Sequence, residues 1–309
     1  MTQPFASCLK TTMTKRFLIF LLLTSILTLR LFASPQMPDY IIYKSDTIVT
    51  YNLLVEQYLQ DNEIIQSDKL FGLSFRDGAS FNCWRGYQAI YKIDNDSLFL
   101  VAMINCGERR NGKIDTAASA QKMKAVFKDK VVNGKVYIDW FSGDISFPLK
   151  VPSNKVLRWD GIFYTIYEQE TVISIFNGKV SNVADVNNYE DVPNAIDRRD
   201  KSKLSNILFK QLKKVRWENT DKYDCSDKYL VTIGEDGKVS KVTMPEYSTQ
   251  DSIDKYWDKD EYSYCINNVL KAMKKLKFDI IKDKGKPISE NVYFEVWFDS
   301  RRKLENWTN

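Results

Sequence analysis

Histidine is absent from the 309 residues of the chain. That removes Ser-His-Asp and Cys-His catalysis, imidazole acid–base chemistry and every His-ligated metal site. What remains for chemistry is carboxylates, cysteines and aromatic rings. Asp77, Asp139, Asp144, Glu168 and Glu170 could supply a carboxylate pair of the glycosidase type. Nothing in their spacing brings two of them together, so solvated turn and strand carboxylates are the plainer reading. Trp84, Trp140 and Trp159, with Tyr87, Tyr91 and Tyr137, could stack on a sugar or a peptide, although aromatic residues in strands are more often core. Ser142 precedes Gly143 but lacks the first glycine of a nucleophile elbow. Lys271, Lys274, Lys275 and Lys277 make one helical face basic, and such a face is usually solvated. No motif asks for a cofactor or a metal, and an enzyme is not expected.

Of the five cysteines, Cys8, Cys83, Cys106, Cys225 and Cys265, none forms a Cys-x-x-Cys pair. This argues against zinc ribbons and thioredoxin-type chemistry. Cys83 and Cys106 are equidistant from Asp94-Asn95, inside the polar break Asp94-Asn95-Asp96 between two apolar runs, Ala79 to Ile93 and Ser97 to Cys106. In a hairpin turning there, the two would lie directly opposite each other, within disulfide reach. A slip of one residue would put them on opposite faces. Pairing them leaves Cys225 with Cys265. Buried free thiols are the alternative.

These residues need elements to position them. Apolar residues make up 44% of the chain and charged ones 28%, a globular composition. The length suits two domains. Lys and Arg number 45 against 40 Asp and Glu, spread along the chain, so no nucleic-acid footprint stands out. Lys15-Arg16, the apolar run Phe17 to Leu29 and Ala33-Ser34-Pro35 read as a secretory signal over residues 1–33, cleaved after Ala33. The run is shorter than the ~20 residues a membrane-spanning helix needs. A periplasmic or secreted location follows, where disulfides persist; the alternative is an inner-membrane anchor formed by residues 17–33. Residues 37–195 are strand-rich: Tyr40 to Tyr43 and Thr47 to Thr50, the central hairpin, Lys135 to Phe141, then a meander from Ile162 to Val186 turning at Asn177-Gly178. Short helices are expected at Leu53 to Leu59 and Ala117 to Phe127. The polar stretch Val186 to Lys201 reads as a linker, and Leu204 to Val215 as an amphipathic helix. The segment Asn133 to Gly143 resembles uncharacterised secreted proteins of Bacteroidetes, which implies an exported bacterial origin and no activity.

The last third carries the clearest pattern. Tyr229 to Ile233 alternates, Asp236-Gly237 turns, and Val239 and Val242 open a return strand. A helix is expected from about Asp260 to Lys277, with Cys265, Val269, Ala272 and Leu276 on one face. Gly285-Lys286-Pro287 punctuates the chain, and Val292, Phe294, Val296 and Phe298 alternate with polar and aromatic residues. This ββαβ pattern over residues 201–300 resembles the C-terminal domain of TonB-type energy transducers, on Val231, Ile233, Asp236, Gly237, Val239 and Val242 in the hairpin, Ala272, Leu276 and Phe278 at the helix end, Gly285 and Pro287 at the turn, and the last strand. The family's long Pro-rich linker is missing from this chain. The resemblance implies binding of a peptide segment of an outer-membrane transporter by strand addition, at Val292, Phe294, Val296 and Phe298 or at a neighbouring edge. The expectation is therefore an α+β protein of the bacterial envelope, non-catalytic, with a protein partner and neither cofactor nor nucleic acid. An immunity-type inhibitor and a carboxylate-dependent hydrolase are the competing readings.

Overall fold

The computed structural model describes residues 35–64, 69–70, 73–74, 80–218, 221–247 and 249–308. The signal segment, Cys8 and Asp77 lie outside the described residues. The chain is mixed α and β and rich in strands.

The first half is organised on one sheet. Its main strands are β1 (Asp39–Tyr43), β2 (Asp46–Thr50), β3 (Tyr87–Asp94), β4 (Ser97–Asn105), β5 (Gly143–Pro148), β6 (Gln169–Phe176) and β7 (Lys179–Asn187), in the spatial order β2-β1-β3-β4-β7-β6-β5. β1 runs parallel to β3, and the other neighbours are antiparallel. The sheet curls until its two edge strands meet, where Asn52 Nδ2 donates to the Asp144 carbonyl at 3.1 Å and Lys150 Nζ reaches Asp46 at 2.6 Å. Two-residue turns with positive φ at both positions close the hairpins at Asn95-Asp96 and Asn177-Gly178, as twisted strands require. Inside the curl, Ala89, Tyr91, Ile93, Leu98, Leu100, Ile145, Ile173 and Ile175 pack against the helices α1 (Leu54–Asp61) and α2 (Thr116–Phe127). Asp115 caps α2 by accepting from the Ala118 amide at 2.9 Å. Trp140 stacks on Phe127 and donates its indole N–H to the Leu54 carbonyl at 2.9 Å. The expected strand to Phe141 is paired only over Lys135–Tyr137, because Trp140 and Phe141 turn into this core.

The second half pairs α3 (Leu204–Leu212), β8 (Asp227–Ile233), β9 (Val239–Thr243), α4 (Gln250–Tyr256), α5 (Lys259–Met273), β10 (Glu290–Phe298) and β11 (Leu304–Asn306). The antiparallel sheet runs β9-β8-β10-β11. Inward residues of β8, Tyr229, Val231 and Ile233, meet Cys265, Val269, Ala272 and Met273 of α5 and Leu204, Leu208 and Leu212 of α3. α5 starts where Asp258 accepts from the amides of Asp260 and Glu261. The acidic connection before it holds α4, closed by a Thr249/Ser252 capping box, a helix its polar composition did not announce.

Residues 186–201 are not a free linker. Tyr189–Glu190 pairs with Ile280–Ile281, and Ile196 bridges Phe278. Tyr189 is buried with Leu157, Ile166 and Ile281 in a small core between the halves, and its hydroxyl donates to Asp279 at 2.5 Å. The polarity of the segment is spent in such bonds. Arg158, 13% exposed, closes the junction by donating Nη2 to Glu290 Oε2 at 2.6 Å.

Candidate functional site

Val292, Phe294, Val296 and Phe298 are 2%, 0%, 1% and 8% exposed. The alternation that singles them out marks the face turned to the helices, so these side chains are core rather than an open peptide-binding surface. Nor is β10 an edge. It pairs with β8 on one side and, over Val296–Phe298, with β11 on the other. The Trp307 amide donates to the Glu295 carbonyl at 3.0 Å, and Ser205 Oγ to the Tyr293 carbonyl at 2.7 Å. The sheet's outer strand on the far side is β9. Among the described residues no strand pairs with its outer side, and a single bridge, Lys238 to Lys277, lies just ahead of it. Ser240 and Lys241 are exposed there.

Both cysteine pairs are disulfides: Cys83–Cys106, with Cα atoms 6.2 Å apart, and Cys225–Cys265, 5.4 Å apart. The second ties the approach to β8 onto α5. The first does not arise from direct cross-strand register. The turn sits at Asn95-Asp96, one residue later than expected, and the ladder shifts again between Ile90 and Tyr91. Extended further, that register sets Cys106 opposite Gly86. Cys83 lies in a turn before β3, in which its carbonyl accepts from the Gly86 amide at 3.1 Å, and the turn brings it back to Cys106.

The structure scatters the other candidates. Asp139 pairs with Lys130 at 3.0 Å, Glu168 with Arg199 at 3.5 Å, and Asp144 accepts from Ser174 Oγ at 2.7 Å. Asp144 and Glu170 share a sheet face, but Asp144 lies opposite Ser174. Four residues of strand, roughly 13 Å, separate that position from Glu170, too far for a glycosidase pair. Tyr87 and Tyr91 are fully buried, Trp140 is in the aromatic core, Tyr137 donates to the Asn177 carbonyl, and Trp159 stands exposed by itself at 53%. Trp84 is half-buried, its amide donating to Gln36. Ser142 Oγ accepts from the Asn177 amide at 2.9 Å and serves the turn. Lys271, Lys274 and Lys275 are exposed on α5 and the turn after it.

Glu170 has a different setting. It is 2% exposed and stands in a cleft of about 140 Å³ that Tyr51, Phe163, Tyr164, Tyr167 and Lys284 also line. Its Oε2 accepts from Asn188 Nδ2 at 2.6 Å, and its Oε1 accepts from Ser146 Oγ at 3.4 Å. Burial pushes its carboxyl above the ordinary value, against the pull of these bonds. The loop bearing Phe163 and Tyr164 is fixed by Asp160, whose Oδ1 accepts from the amides of Ile162, Phe163 and Tyr164 at 2.8, 2.8 and 2.9 Å. The Phe163 ring meets Tyr51 edge-on, with centroids 5.9 Å apart. The Tyr164 hydroxyl donates to Asp283 at 2.5 Å, so the second half of the chain closes one wall. These residues come from five separated stretches, at 51, 146, 160–170, 188 and 283–284. Only Glu170 is singled out by sequence, and there as one of a pair.

A second feature escapes sequence reading. On the face of β10 and β11 away from the helices, Tyr293, Trp297 and Trp307 are 37%, 47% and 51% exposed, and the two indoles lie 5.5 Å apart. The period of two that buries Val292 to Phe298 turns Tyr293 and Trp297 outward.

Among the described residues no group of three or more Cys, Asp or Glu side chains could hold a metal ion, and no helix is long and apolar enough to cross a membrane. No family model, curated protein or solved structure matches the chain.

Proposed function

We propose that this is an exported, non-catalytic binding or adaptor protein of the bacterial envelope, whose C-terminal sheet accepts a partner segment by strand addition along β9. The observation that carries this reading is the outer side of β9, with which no strand pairs among the described residues; β9 is also longer than β11, the three-residue strand at the opposite edge of the sheet. Backbone groups on such a strand are a template for another chain. Lys238 and Lys241 flank and occupy it, which discourages pairing with a copy of itself and favours an added strand with carboxylates opposite them. The strand-helix-strand order and the Asp236-Gly237 turn support kinship with the C-terminal domain of TonB-type transducers, and through it a partner segment from an outer-membrane transporter. Two disulfides support an oxidising compartment.

Pull-down from envelope extracts tests this reading. Recovery of an outer-membrane transporter supports it, and recovery of a toxin instead makes the protein an immunity-type inhibitor. Export itself is read by N-terminal sequencing of envelope-fraction protein, expected to begin at Ser34. A mature chain that still carries Phe17 to Leu29 would make the segment an anchor.

A further inference from the structure

We propose that the cleft over Glu170 is a binding site for a small organic ammonium group, such as a free primary amine or the side chain of a lysine. The site is separate from β9 and does not depend on strand addition there. Its volume, about 140 Å³, is near that of cavities that take a single benzene-sized ring and well below the 300–1,000 Å³ of ordinary ligand pockets. It therefore holds one side chain's worth of ligand. Four aromatic rings line it, from Tyr51, Phe163, Tyr164 and Tyr167, and the carboxylate of Glu170 stands among them. Aromatic rings beside a buried carboxylate favour a cation over a neutral or anionic group of equal size.

The cleft already shows that preference. Lys284, from the second half of the chain, lines it with Nζ 5.4 Å from the centre of the Tyr164 ring. This lysine stands in the left-handed region, φ +50°, just before Gly285 at φ +80°, in a turn held by the bond from the Gly285 amide to Asn188 Oδ1 at 2.9 Å. Asn188 is also the residue that binds Glu170. The protein thus supplies a cation at the cleft, and an incoming ammonium competes with it for the Tyr164 ring.

The test is calorimetric titration of the full chain with butylamine, tetramethylammonium, butyrate and glucose. Saturable binding of the amine or the quaternary ammonium, with none of butyrate or glucose, is expected. Glu170→Gln should weaken it by about tenfold. Lys284→Met keeps the length and backbone conformation of that residue while removing the competing charge, and it should tighten binding several-fold. A purely structural role for the cleft would not produce that gain. Both variants must keep the cooperative melt of the parent. Phe163→Leu, which removes one lining ring and leaves Glu170 in place, serves as a second variant if Glu170→Gln fails to fold, and it should weaken binding several-fold. Glucose or butyrate binding as well as the amine, absence of saturable amine binding in both the parent and Lys284→Met, or weaker binding by Lys284→Met would overturn the proposal.

Discussion

Gly237 has little conformational freedom. Its φ is +73°, and a Cβ there would lie 2.2 Å from the Phe278 carbonyl oxygen, while its own carbonyl accepts from the Phe278 amide at 2.8 Å. Gly237→Ala should therefore destabilise the chain by more than about 1 kcal/mol, read as a lower urea midpoint at unchanged slope. The turn was legible because Asp-Gly between alternating runs has a specific backbone meaning, and so were Asn133-Gly134 and Asn177-Gly178, all with positive φ at the glycine. The cysteine pairing was legible too, but not its geometry. A bulge within the ladder and a turn ahead of β3 lie below what residue spacing can encode. The Cys83–Cys106 bridge closes a separation of 23 residues, for which chain entropy gives about 3 kcal/mol. Replacing both by serine should lower stability by about that amount under oxidising conditions and leave the reduced protein nearly unchanged. Peptide mapping without reductant should return Cys83 linked to Cys106 alone.

Among the elements, the segment 186–201 and the strand pair it joins decide how the halves communicate. Its sequence reads as linker because polar residues dominate, yet Tyr189, Asn188 and Arg198 are buried, and their partners lie on distant stretches that no local pattern exposes. A fragment spanning residues 201–309 loses the pairing of Tyr189 with Ile281 and the bridge of Ile196 to Phe278. It should melt below a fragment that begins at residue 186, and equal midpoints would show these bonds to be idle. Glu290 gives the junction a pH dependence. Burial raises its carboxyl, but the hydrogen bonds and charges of Arg158 and Lys201 outweigh this and hold it below its ordinary value of 4.5. A carboxylate lowered on folding contributes stability that is present above the unfolded value and lost as pH falls through the folded one. Parent stability should thus fall below pH 4.5, and in Glu290→Gln that part of the acid slope should be absent. At neutral pH the same substitution leaves Arg158 buried without its partner charge, at a cost of about 3 kcal/mol.

For the whole molecule, the α+β class follows from periodicity, since alternation marks strands and turn residues pair successive ones, but the spatial order, with β1 parallel to β3 and β4 beside β7, does not. Function was less legible. The same alternation that names Val292, Phe294, Val296 and Phe298 fixes them as core, and a ligand would meet residues on the opposite face or on the edge strand. Edges are a property of the assembled sheet, visible only once β11 is seen to pair with the end of β10 and, among the described residues, no strand is seen to pair with the outer side of β9. The central claim is that β9 receives a partner strand. Its most direct measurement is photo-crosslinking in cells, with a photoreactive side chain introduced at Lys241 on β9 and, separately, at Glu305 on β11, the short strand at the opposite edge of the sheet. Adducts with an outer-membrane protein from position 241, absent from position 305, are the predicted result. Adducts from position 305 alone, or none from 241 in protein shown to be exported and folded, would contradict it.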